Sequence, residues 1–509
     1  MIKKNWAERV KPIVVSLTKG CLSIMWGPKP HFSFAPNRTG KEQQKHQMAL
    51  KKKQIVKCEI GDVAFGGKGL AKIDGMAVFV DQTVTGDRVA ARIVRKKKNY
   101  AEAVVHELLS PSSRRVTAPC PYSGYCGGCK WQFIDYAYQI ELKRRHVAES
   151  LAHIALLKDV PVQPVIPSEP VFGYRNKMEF SCSDRRWLMP HELGTGADIG
   201  FALGLHVPGT FHKVLDTRAC LLQPQTGNRI LEAVRRYMRA SDRPVYGLRS
   251  HEGFWRFLVL RHSVACDQWM VNIVTAEEDR AAVMPLAEMI ASDFPEVAGV
   301  VNNITDRRAG VAIGQREILL VGEPVLQDRI GPFLFEISAN SFFQTNTRGA
   351  RTLYETVGRF ADLSGSETVL DLYCGTGTIA IWLAELAAGV IGLEMVESAV
   401  HDARKNCRAN GIENCRFIQG DIKDTLGTIA EAPDLLVIDP PRAGMHKDVV
   451  QKVLGLAPEK IVYVSCNPAT MARDLVDLKT RYRVEAVQPV DMFPHTFHIE
   501  SVARLKKIG

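Results

Sequence analysis

Short apolar runs that end in a polar residue recur along the second half of the chain. Val369 to Leu372, Val390 to Leu393 and Leu435 to Ile438 are each rich in valine, isoleucine and leucine. Continuous runs of this kind are typical of strands buried on both faces of a parallel sheet, with helices between them. The pattern therefore predicts an α/β fold of the Rossmann-like type for residues 336–509.

Residues 54–109 have a different pattern, with shorter strands of alternating polarity separated by glycine turns. The alternation predicts a small OB-like β-barrel, with strands at Val63 to Phe65, Met76 to Val80, Arg88 to Val94 and Ala101 to Leu108. Cations are frequent in its loops, as in Lys96 to Lys98. These lysines suit either contact with RNA or a solvated hairpin tip.

The middle of the chain, residues 111–335, predicts an α+β layer. Strands are expected at Phe254 to Arg261 and Trp269 to Val274, and a helix at Arg280 to Phe294. Aromatic and cationic residues alternate from Phe172 to Met178. That segment suits either a surface that stacks RNA bases or an ordinary edge strand with cations at its rim.

The first 48 residues are basic and poor in acids, with a short apolar patch from Ile13 to Leu17. A transit peptide has a similar composition, and so does sequence upstream of a true start at Met48. We favour the second interpretation. Residues 1–49 are then a basic extension that we expect to be disordered and without a function of its own. The predicted domains that follow are residues 50–110, 111–335 and 336–509.

Length, charge and hydropathy narrow the class of protein. The chain has 509 residues, of which 46% are hydrophobic, and a net charge of +11. Such a chain can bury several cores, and its basic balance suits a polyanionic partner. No apolar stretch is long enough to span a membrane, so we expect a cytoplasmic enzyme with no membrane partner.

A glycine turn and a distant carboxylate predict a nucleoside site. Gly375 and Gly377 follow the first of the apolar runs and let a ligand approach the backbone amides of the next helix. Glu394 ends the second run, roughly 20 residues further on, where a carboxylate binds ribose hydroxyls. Neither three spaced glycines nor a phosphate-binding lysine is present. The pattern favours a nucleoside without phosphate, such as S-adenosylmethionine.

Two further strand ends carry the candidate chemistry. Asp439 is followed by two prolines and Arg442, and Cys466 follows the apolar run from Ile461 to Val464. Most buried thiols are inert, but one at a ligand-binding rim can act as a nucleophile. Enzymes that methylate exocyclic amines usually have an aromatic residue after such prolines. Arginine there, together with a cysteine on the next strand, favours methylation of a pyrimidine ring carbon.

A second set of thiols lies in the middle of the chain. Cys120, Cys126 and Cys129 are separated by five and two residues in a loop of glycine and proline. The spacing suits a metal ion or an iron–sulfur cluster, whereas a disulfide is not expected in a cytosolic chain. A fourth ligand must come from elsewhere in the sequence. Zinc and a cluster both fit the spacing.

The motifs as a set resemble the RNA uracil-C5 methyltransferases, and among them the iron–sulfur-containing 23S ribosomal RNA branch with a TRAM domain. The resemblance extends from about Lys51 to Ile508. Its motifs are Ser341 to Asn346, Asp371 to Gly377, Asp439 to Arg442, Ser465 to Pro468 and His498 to Ser501. It implies transfer of a methyl group from S-adenosylmethionine to C5 of a uridine in 23S ribosomal RNA, giving 5-methyluridine, by a monomeric enzyme.

The resemblance also implies roles for individual residues. The cofactor contacts would be Gln344, Tyr373, Glu394 and Asp439. Cys466 would add to C6 of uracil as the nucleophile and Glu500 would remove the C5 proton, with Asp439 as the competing base. A [4Fe–4S] cluster would be held by Cys120, Cys126, Cys129 and Cys220.

Three alternatives stay open at this stage. A transfer-RNA uracil-C5 methyltransferase has the same catalytic set, and a cytosine-C5 or amine methyltransferase has the same fold. A non-catalytic RNA-binding protein with a degenerate transferase domain is the third. The complete set of Gln344, Glu394, Asp439, Cys466 and Glu500 argues against it.

Overall fold

The computed structural model describes residues 50–308, 310–429 and 432–509. The predicted basic extension, residues 1–49, lies outside the described residues. The described chain divides into two compact units, one of residues 50–62 and 69–111 and the other of residues 63–68 and 112–509. Among the helices of the described ranges, none is both long enough and apolar enough to cross a bilayer.

The smaller unit is built on a six-stranded sheet with the order β1-β5-β6-β4-β3-β2. The strands are β1 Ile55–Glu59, β2 Asp62–Val63, β3 Gly69–Ile73, β4 Met76–Asp81, β5 Arg88–Lys96 and β6 Tyr100–Ser110. Alternate residues such as Val78, Val80 and Val89 form its core. β4, β5 and β6 lie where sequence predicted them, whereas β2 overlaps its prediction only at Val63. Closure of this sheet into a TRAM-type barrel stays a prediction.

The first part of the larger unit is a helix followed by a seven-stranded sheet with the order β13-β12-β11-β10-β7-β8-β9. Its elements are α1 Tyr136–His153, β7 Lys177–Ser183, β8 Ala202–His206, β9 Val214–Asp216, α2 Gln225–Ala240, β10 Trp255–Ser263, β11 Gln268–Thr275, α3 Arg280–Asp293, β12 Val297–Ile304 and β13 Arg316–Gly322. The strands and helix predicted at residues 254–294 are β10, β11 and α3. Residues of α2 and α3 share one core with this sheet.

A hairpin and a second seven-stranded sheet complete the chain. The elements are β14 Val325–Ile330, β15 Phe333–Ser338, α4 Thr347–Ala361, β16 Thr368–Leu372, α5 Thr378–Ala384, β17 Gly389–Glu394, α6 Glu397–Ala409, β18 Cys415–Gln419, α7 Ile422–Thr425, β19 Leu435–Ile438, α8 Lys447–Leu456, β20 Lys460–Ser465, α9 Pro468–Leu478, β21 Tyr482–Val490 and β22 Glu500–Lys507. The sheet order is β18-β17-β16-β19-β20-β22-β21. Its first five strands are parallel, as predicted, and β22 runs antiparallel between β20 and β21.

Helix α1 packs on this last sheet, although it precedes it by more than 200 residues. Val147 and Leu151 of α1 are fully buried in one core with Tyr463 and Leu475. The chain after α1 then pairs with strand β21, through bridges from residues 162 and 166 to residues 487 and 490. The segment 136–166 therefore contributes to the core of the C-terminal sheet, while lying inside the predicted central domain.

Candidate active site

The carboxyl ends of the parallel strands meet at one edge of the C-terminal sheet, where open α/β sheets bind ligands. A cavity of about 1130 Å³ lies there. The cavity is lined by all six residues that sequence predicted for cofactor binding and catalysis, namely Gln344, Tyr373, Glu394, Asp439, Cys466 and Glu500. The fold thus brings together side chains that span more than 150 residues of sequence.

The turn after β16 is tight because three of its residues have positive φ. Tyr373 has φ 64°, Gly375 has φ 54° and Gly377 has φ 78°. A Cβ atom on Gly377 would lie 2.9 Å from the ring of Phe417 and 3.0 Å from Cβ of Ala403. Glycine is therefore required at position 377 both for its backbone conformation and for the space it leaves.

Glu394 is held beside this turn by two backbone amides. Gly375 N donates to one carboxylate oxygen at 3.1 Å, and Val396 N donates to the other at 2.8 Å. A carboxylate oxygen can accept more than one hydrogen bond, so both oxygens keep capacity for hydroxyl donors. The side chain is consequently fixed in direction at the end of β17, as a ribose-binding carboxylate needs to be.

Cys466 lies between β20 and α9, where the loop after β19 is tied to the start of the helix. Asn467 caps α9 by accepting a hydrogen bond from Ala469 N at 3.1 Å. The side-chain amide of the same Asn467 donates to the carbonyl oxygen of Arg442 at 3.2 Å. Asn467 therefore helps to hold together two adjacent loops, one with the thiol and one with the guanidinium, and the hydroxyl of Thr470 donates to the same carbonyl oxygen of Arg442 at 3.4 Å.

The cavity raises the pKa of each of its candidate reactive groups. Burial raises the pKa of the Cys466 thiol to about 11, and the charge of Glu500 adds to the effect. Burial also raises the pKa of Glu500 to about 8, with a contribution from Asp439. Desolvation raises the pKa of Asp439 itself to about 7. The positive charge of Arg442 opposes these shifts, since it lowers the pKa of both Cys466 and Glu500.

Asp371 lines the same cavity, and sequence did not assign it a role. Its side chain is fully buried, and within the described ranges neither carboxylate oxygen has a hydrogen-bond partner. Burial raises its pKa well above the usual value, the charges of Asp439 and Glu394 raise it further, and the nearby amide of Ala380 offsets the shift in part. The sequence feature that could have pointed to this residue is the presence of a carboxylate inside the apolar run from Val369 to Leu372.

A second cavity, of about 580 Å³, is lined by the four predicted ligands Cys120, Cys126, Cys129 and Cys220. Arg442, Thr345 and Phe493 line this cavity and the larger one alike. The cysteine loop therefore borders the candidate active site. Sequence reasoning did not anticipate that adjacency, because more than 300 positions separate the cysteine loop, residues 120–129, from Arg442.

The cysteines share a cavity without forming a ligand set in the described part of the chain. Burial raises the pKa of Cys126 to about 11 and that of Cys129 to about 12, and the charges of neighbouring thiols add to both shifts. No group of three or more His, Cys, Asp or Glu side chains in residues 50–308, 310–429 and 432–509 is arranged to hold a metal ion. Four thiols suit a cluster or zinc by their chemistry, but neither is established by this arrangement.

The fold and the cavity define a methyltransferase, and comparison with known proteins agrees. Residues 363–479 match the family described as a methyltransferase domain. An uncharacterized RNA methyltransferase of Chlorobaculum tepidum is 43% identical over 475 residues, which cover 91% of this chain and 98% of that relative. Another, from Porphyromonas gingivalis, is 41% identical over 461 residues, 88% of this chain and 99% of that relative. The chain belongs to this family of RNA methyltransferases.

A solved structure is similar over nearly the whole length. The tRNA (uracil-54, C5)-methyltransferase of Pyrococcus abyssi, in complex with S-adenosyl-L-homocysteine, matches with a TM-score of 0.69 and 28% identity. The match covers 88% of this chain and 100% of that one. The prediction of an RNA methyltransferase is confirmed by these relatives. The uracil-C5 specificity, the 23S ribosomal RNA target, the cluster and the TRAM domain stay predictions.

Proposed function

We propose that this protein transfers a methyl group from S-adenosylmethionine to C5 of a uridine in RNA, through a covalent bond between Cys466 and C6 of the base. The observation that carries the proposal is the cavity beside the glycine turn, which holds the thiol of Cys466, the guanidinium of Arg442 and the carboxylates of Asp439 and Glu500, both of raised pKa. The similarity to a tRNA (uracil-54, C5)-methyltransferase supports the same reaction class.

The residues at the turn suit a methyl donor that is a nucleoside. Glu394 would accept hydrogen bonds from ribose hydroxyls, and Tyr373 and Gln344 line the cavity beside it. A cavity of about 1130 Å³ has room for such a ligand together with a pyrimidine base. When bound, S-adenosylmethionine supplies an electrophilic methyl group, and the remaining chemistry belongs to the protein.

Uracil C5 becomes a nucleophile only when a thiolate adds to C6. Cys466 must therefore lose its proton, which the raised pKa of its thiol opposes. Arg442 favours the thiolate by its charge, and Asp439 can accept the proton because its raised pKa lies near neutrality, which leaves the carboxylate of Glu500 for the later step. After transfer, C5 carries both a methyl group and a proton. Glu500 in its carboxylate form removes that proton, and elimination then expels Cys466 as a thiolate.

Substitution of the nucleophile tests the proposal. Cys466→Ala should abolish formation of 5-methyluridine, measured by mass spectrometry of digested RNA, while S-adenosylmethionine binding measured by calorimetry changes by less than about threefold. Cys266→Ala is the matched control, because Cys266 is exposed and lies outside the cavity. Substantial turnover by Cys466→Ala would contradict the covalent mechanism.

The RNA that is modified is proposed to be 23S ribosomal RNA, and transfer RNA is the second candidate. The proposal of 23S ribosomal RNA follows from the resemblance of the cysteine loop and the small β-domain to those of the ribosomal RNA branch. Transfer RNA is favoured by the similarity to the Pyrococcus abyssi enzyme. Mass spectrometry of both RNAs from a strain that lacks the gene distinguishes them. Loss of one 5-methyluridine from 23S ribosomal RNA supports the first, and loss from transfer RNA supports the second.

We also propose that Cys120, Cys126, Cys129 and Cys220 hold a [4Fe–4S] cluster with a structural role. The support is their common cavity and the closeness of the thiols, since the charges of Cys120 and Cys220 act on both Cys126 and Cys129. Anaerobically purified protein should contain about four irons per chain, and Cys126→Ser or Cys220→Ser should lose them. Cys266→Ser is the control. Zinc in place of iron would contradict the proposal.

A further inference from the structure

We propose that Arg261 and Asn176 are positioning residues for Gln344, and that they set the affinity of the larger cavity for its methyl donor by holding the segment that contains Gln344. Arg261 lies in β10 and Asn176 immediately precedes β7, and these two strands pair with each other in the first seven-stranded sheet. Both residues lie outside the lining of the larger cavity. The inference rests on the proposed donor, S-adenosylmethionine, and not on the identity of the RNA base.

The segment between β15 and α4, residues 339–346, contains neither helix nor strand. Its backbone groups therefore lack a ladder or a helix to hold them, and side chains of neighbouring elements must take that role. The end nearest α4 is held by Asn346, which accepts from Gly349 N at 2.9 Å and donates to the carbonyl oxygen of Met492 at 2.9 Å. The residues of the segment that line the larger cavity are Asn340, Ser341, Phe342, Gln344 and Thr345.

Arg261 holds the beginning of the segment. Its guanidinium donates to the carbonyl oxygen of Ala339 through Nε and Nη2, each at 3.3 Å, and through Nη2 to the carbonyl oxygen of Ser341. Burial lowers the pKa of Arg261 to about 10, although the charges of Glu179 and Glu317 oppose the shift. The guanidinium is therefore charged at neutral pH, and hydrogen bonds from a charged donor are roughly twice as strong as those from a neutral one.

Asn176 holds the backbone from Gln344 to the start of α4. Its side-chain Nδ2 donates to the carbonyl oxygen of Gln344 at 2.9 Å and to the hydroxyl of Thr347 at 2.7 Å. Its backbone N–H donates to the carbonyl oxygen of Thr345 at 2.9 Å. The carbonyl oxygen of Asn176 in turn accepts from the backbone N–H of His262 in β10 at 2.8 Å. The two positioning residues are thus neighbours, and together they connect Gln344 to β10.

Loss of either set of hydrogen bonds would let the segment leave the conformation that presents Gln344 to the donor. Only the molecules with the segment in place could then bind with full affinity, so the observed dissociation constant would rise by the inverse of their fraction. The methyl group has no part in this effect, and S-adenosylhomocysteine should lose affinity by the same factor. A saturating donor concentration returns the segment to its place, so KM for the donor should rise while kcat changes little.

Arg261→Met tests the proposal, because it keeps the bulk of the side chain and removes its donors. Calorimetry should show about tenfold weaker binding of S-adenosylmethionine and of S-adenosylhomocysteine alike. The matched control is Arg256→Met, at a second buried arginine of β10, whose guanidinium donates to the carbonyl oxygens of Thr305 and Arg307 at 2.6 and 2.7 Å. These three residues lie outside the lining of the larger cavity. The control should also lose stability but should change either dissociation constant by less than about twofold.

Hydrogen exchange and a double variant separate positioning from a general loss of stability. In Arg261→Met the amides of residues 339–346 should exchange faster than in the wild type and slow again when S-adenosylhomocysteine binds, whereas in Arg256→Met they should match the wild type. Gln344→Ala should also weaken donor binding about tenfold, and the addition of Arg261→Met should weaken it by less than about a further threefold. If Arg261→Met does not fold, Asn176→Ser, which removes an uncharged donor, provides the same comparison.

Three results would overturn the proposal. One is unchanged donor affinity together with unchanged exchange of residues 339–346 in folded Arg261→Met or Asn176→Ser protein. Another is an equal loss of donor affinity in Arg256→Met. The third is full additivity of Arg261→Met and Gln344→Ala, since Arg261 would then not act through Gln344. A wild-type protein that binds neither S-adenosylmethionine nor S-adenosylhomocysteine would instead contradict the proposed donor.

Discussion

The ammonium of Lys143 lies 2.7 Å from a carboxylate oxygen of Asp491, and neither side chain is exposed to solvent. Lys143 also donates to the carbonyl oxygen of Phe493 at 3.1 Å, and the hydroxyl of Tyr136 donates to Asp491 at 2.9 Å. These bonds fasten α1 to the segment that leads from β21 into Glu500, the first residue of β22. The pair therefore positions the candidate base from a helix that lies outside the cavity.

Removal of one partner of this pair should lower the stability of the protein. Lys143→Ala would leave the charge of Asp491 buried without its main counter-ion, at a cost of about 3–5 kcal/mol in the free energy of unfolding. Chemical denaturation measures the loss. Lys158→Ala, at an exposed position beyond the end of α1, should change the same quantity by less than about 0.5 kcal/mol. Equal stability of the two variants would mean that the buried pair is not needed to hold the segment.

The identity of the base can be read from a trapped intermediate. Glu500→Gln keeps the size of the side chain but cannot accept the C5 proton, so the reaction should stop after methyl transfer. The expected result is a protein–RNA adduct that survives a denaturing gel and contains the methyl group. Asp439→Asn is the comparison, and it should not accumulate the methylated adduct. Accumulation in Asp439→Asn alone would assign the base to Asp439.

Arg442 should set the pH at which the thiol reacts. Its charge lowers the pKa of Cys466 and of Glu500, so Arg442→Met should raise both and shift the rising limb of the rate–pH profile to higher pH. Because the raised pKa leaves Cys466 protonated near neutrality, the thiolate fraction falls about tenfold per unit of pKa increase. Alkylation of Cys466 by iodoacetamide at about pH 8 should slow by about three- to tenfold. Alkylation of exposed Cys266 in the same sample should not change.

Two glycines of the C-terminal domain offer a matched pair of substitutions. Gly377→Ala places a methyl group 2.9 Å from Phe417 in a backbone with φ 78°, so it should cost about 2 kcal/mol of stability and weaken binding of the donor about tenfold or more. Gly455→Ala, within α8, meets open space and should stabilise the helix by up to about 1 kcal/mol. Thermal unfolding and calorimetry check both. Similar changes in stability and in donor binding in the two variants would contradict the conclusion that the turn requires glycine at position 377.

Three of the cavity residues could be predicted from local sequence because each ends an apolar run. Glu394, Asp439 and Cys466 follow β17, β19 and β20 directly or as the last residue of the strand, so a local pattern locates all three at one edge of a parallel sheet. The role of Glu500 came from resemblance alone. Position on a late strand gives no sign of its burial.

The polar interior could not be predicted in the same way. Lys143 lies in a helix with several charged residues, which by pattern would face solvent, and Asp491 lies in a loop. Each residue is buried only because the other compensates its charge, and 348 positions separate them. No window of local sequence contains both partners. For the same reason, local sequence could not predict that the cysteine cavity borders the active site.

The strand order also determines when the C-terminal sheet can become complete during synthesis. Strand β22 is made after β20 and β21 but is inserted between them rather than added at an edge. At roughly 5–20 residues per second, a ribosome needs roughly 17–70 s to progress from Lys143 to Asp491. Throughout that time the α1 ammonium must stay hydrated. A nascent chain that stops before β22 therefore retains an open gap between β20 and β21, and incomplete structures of this kind are recognised by cellular proteases.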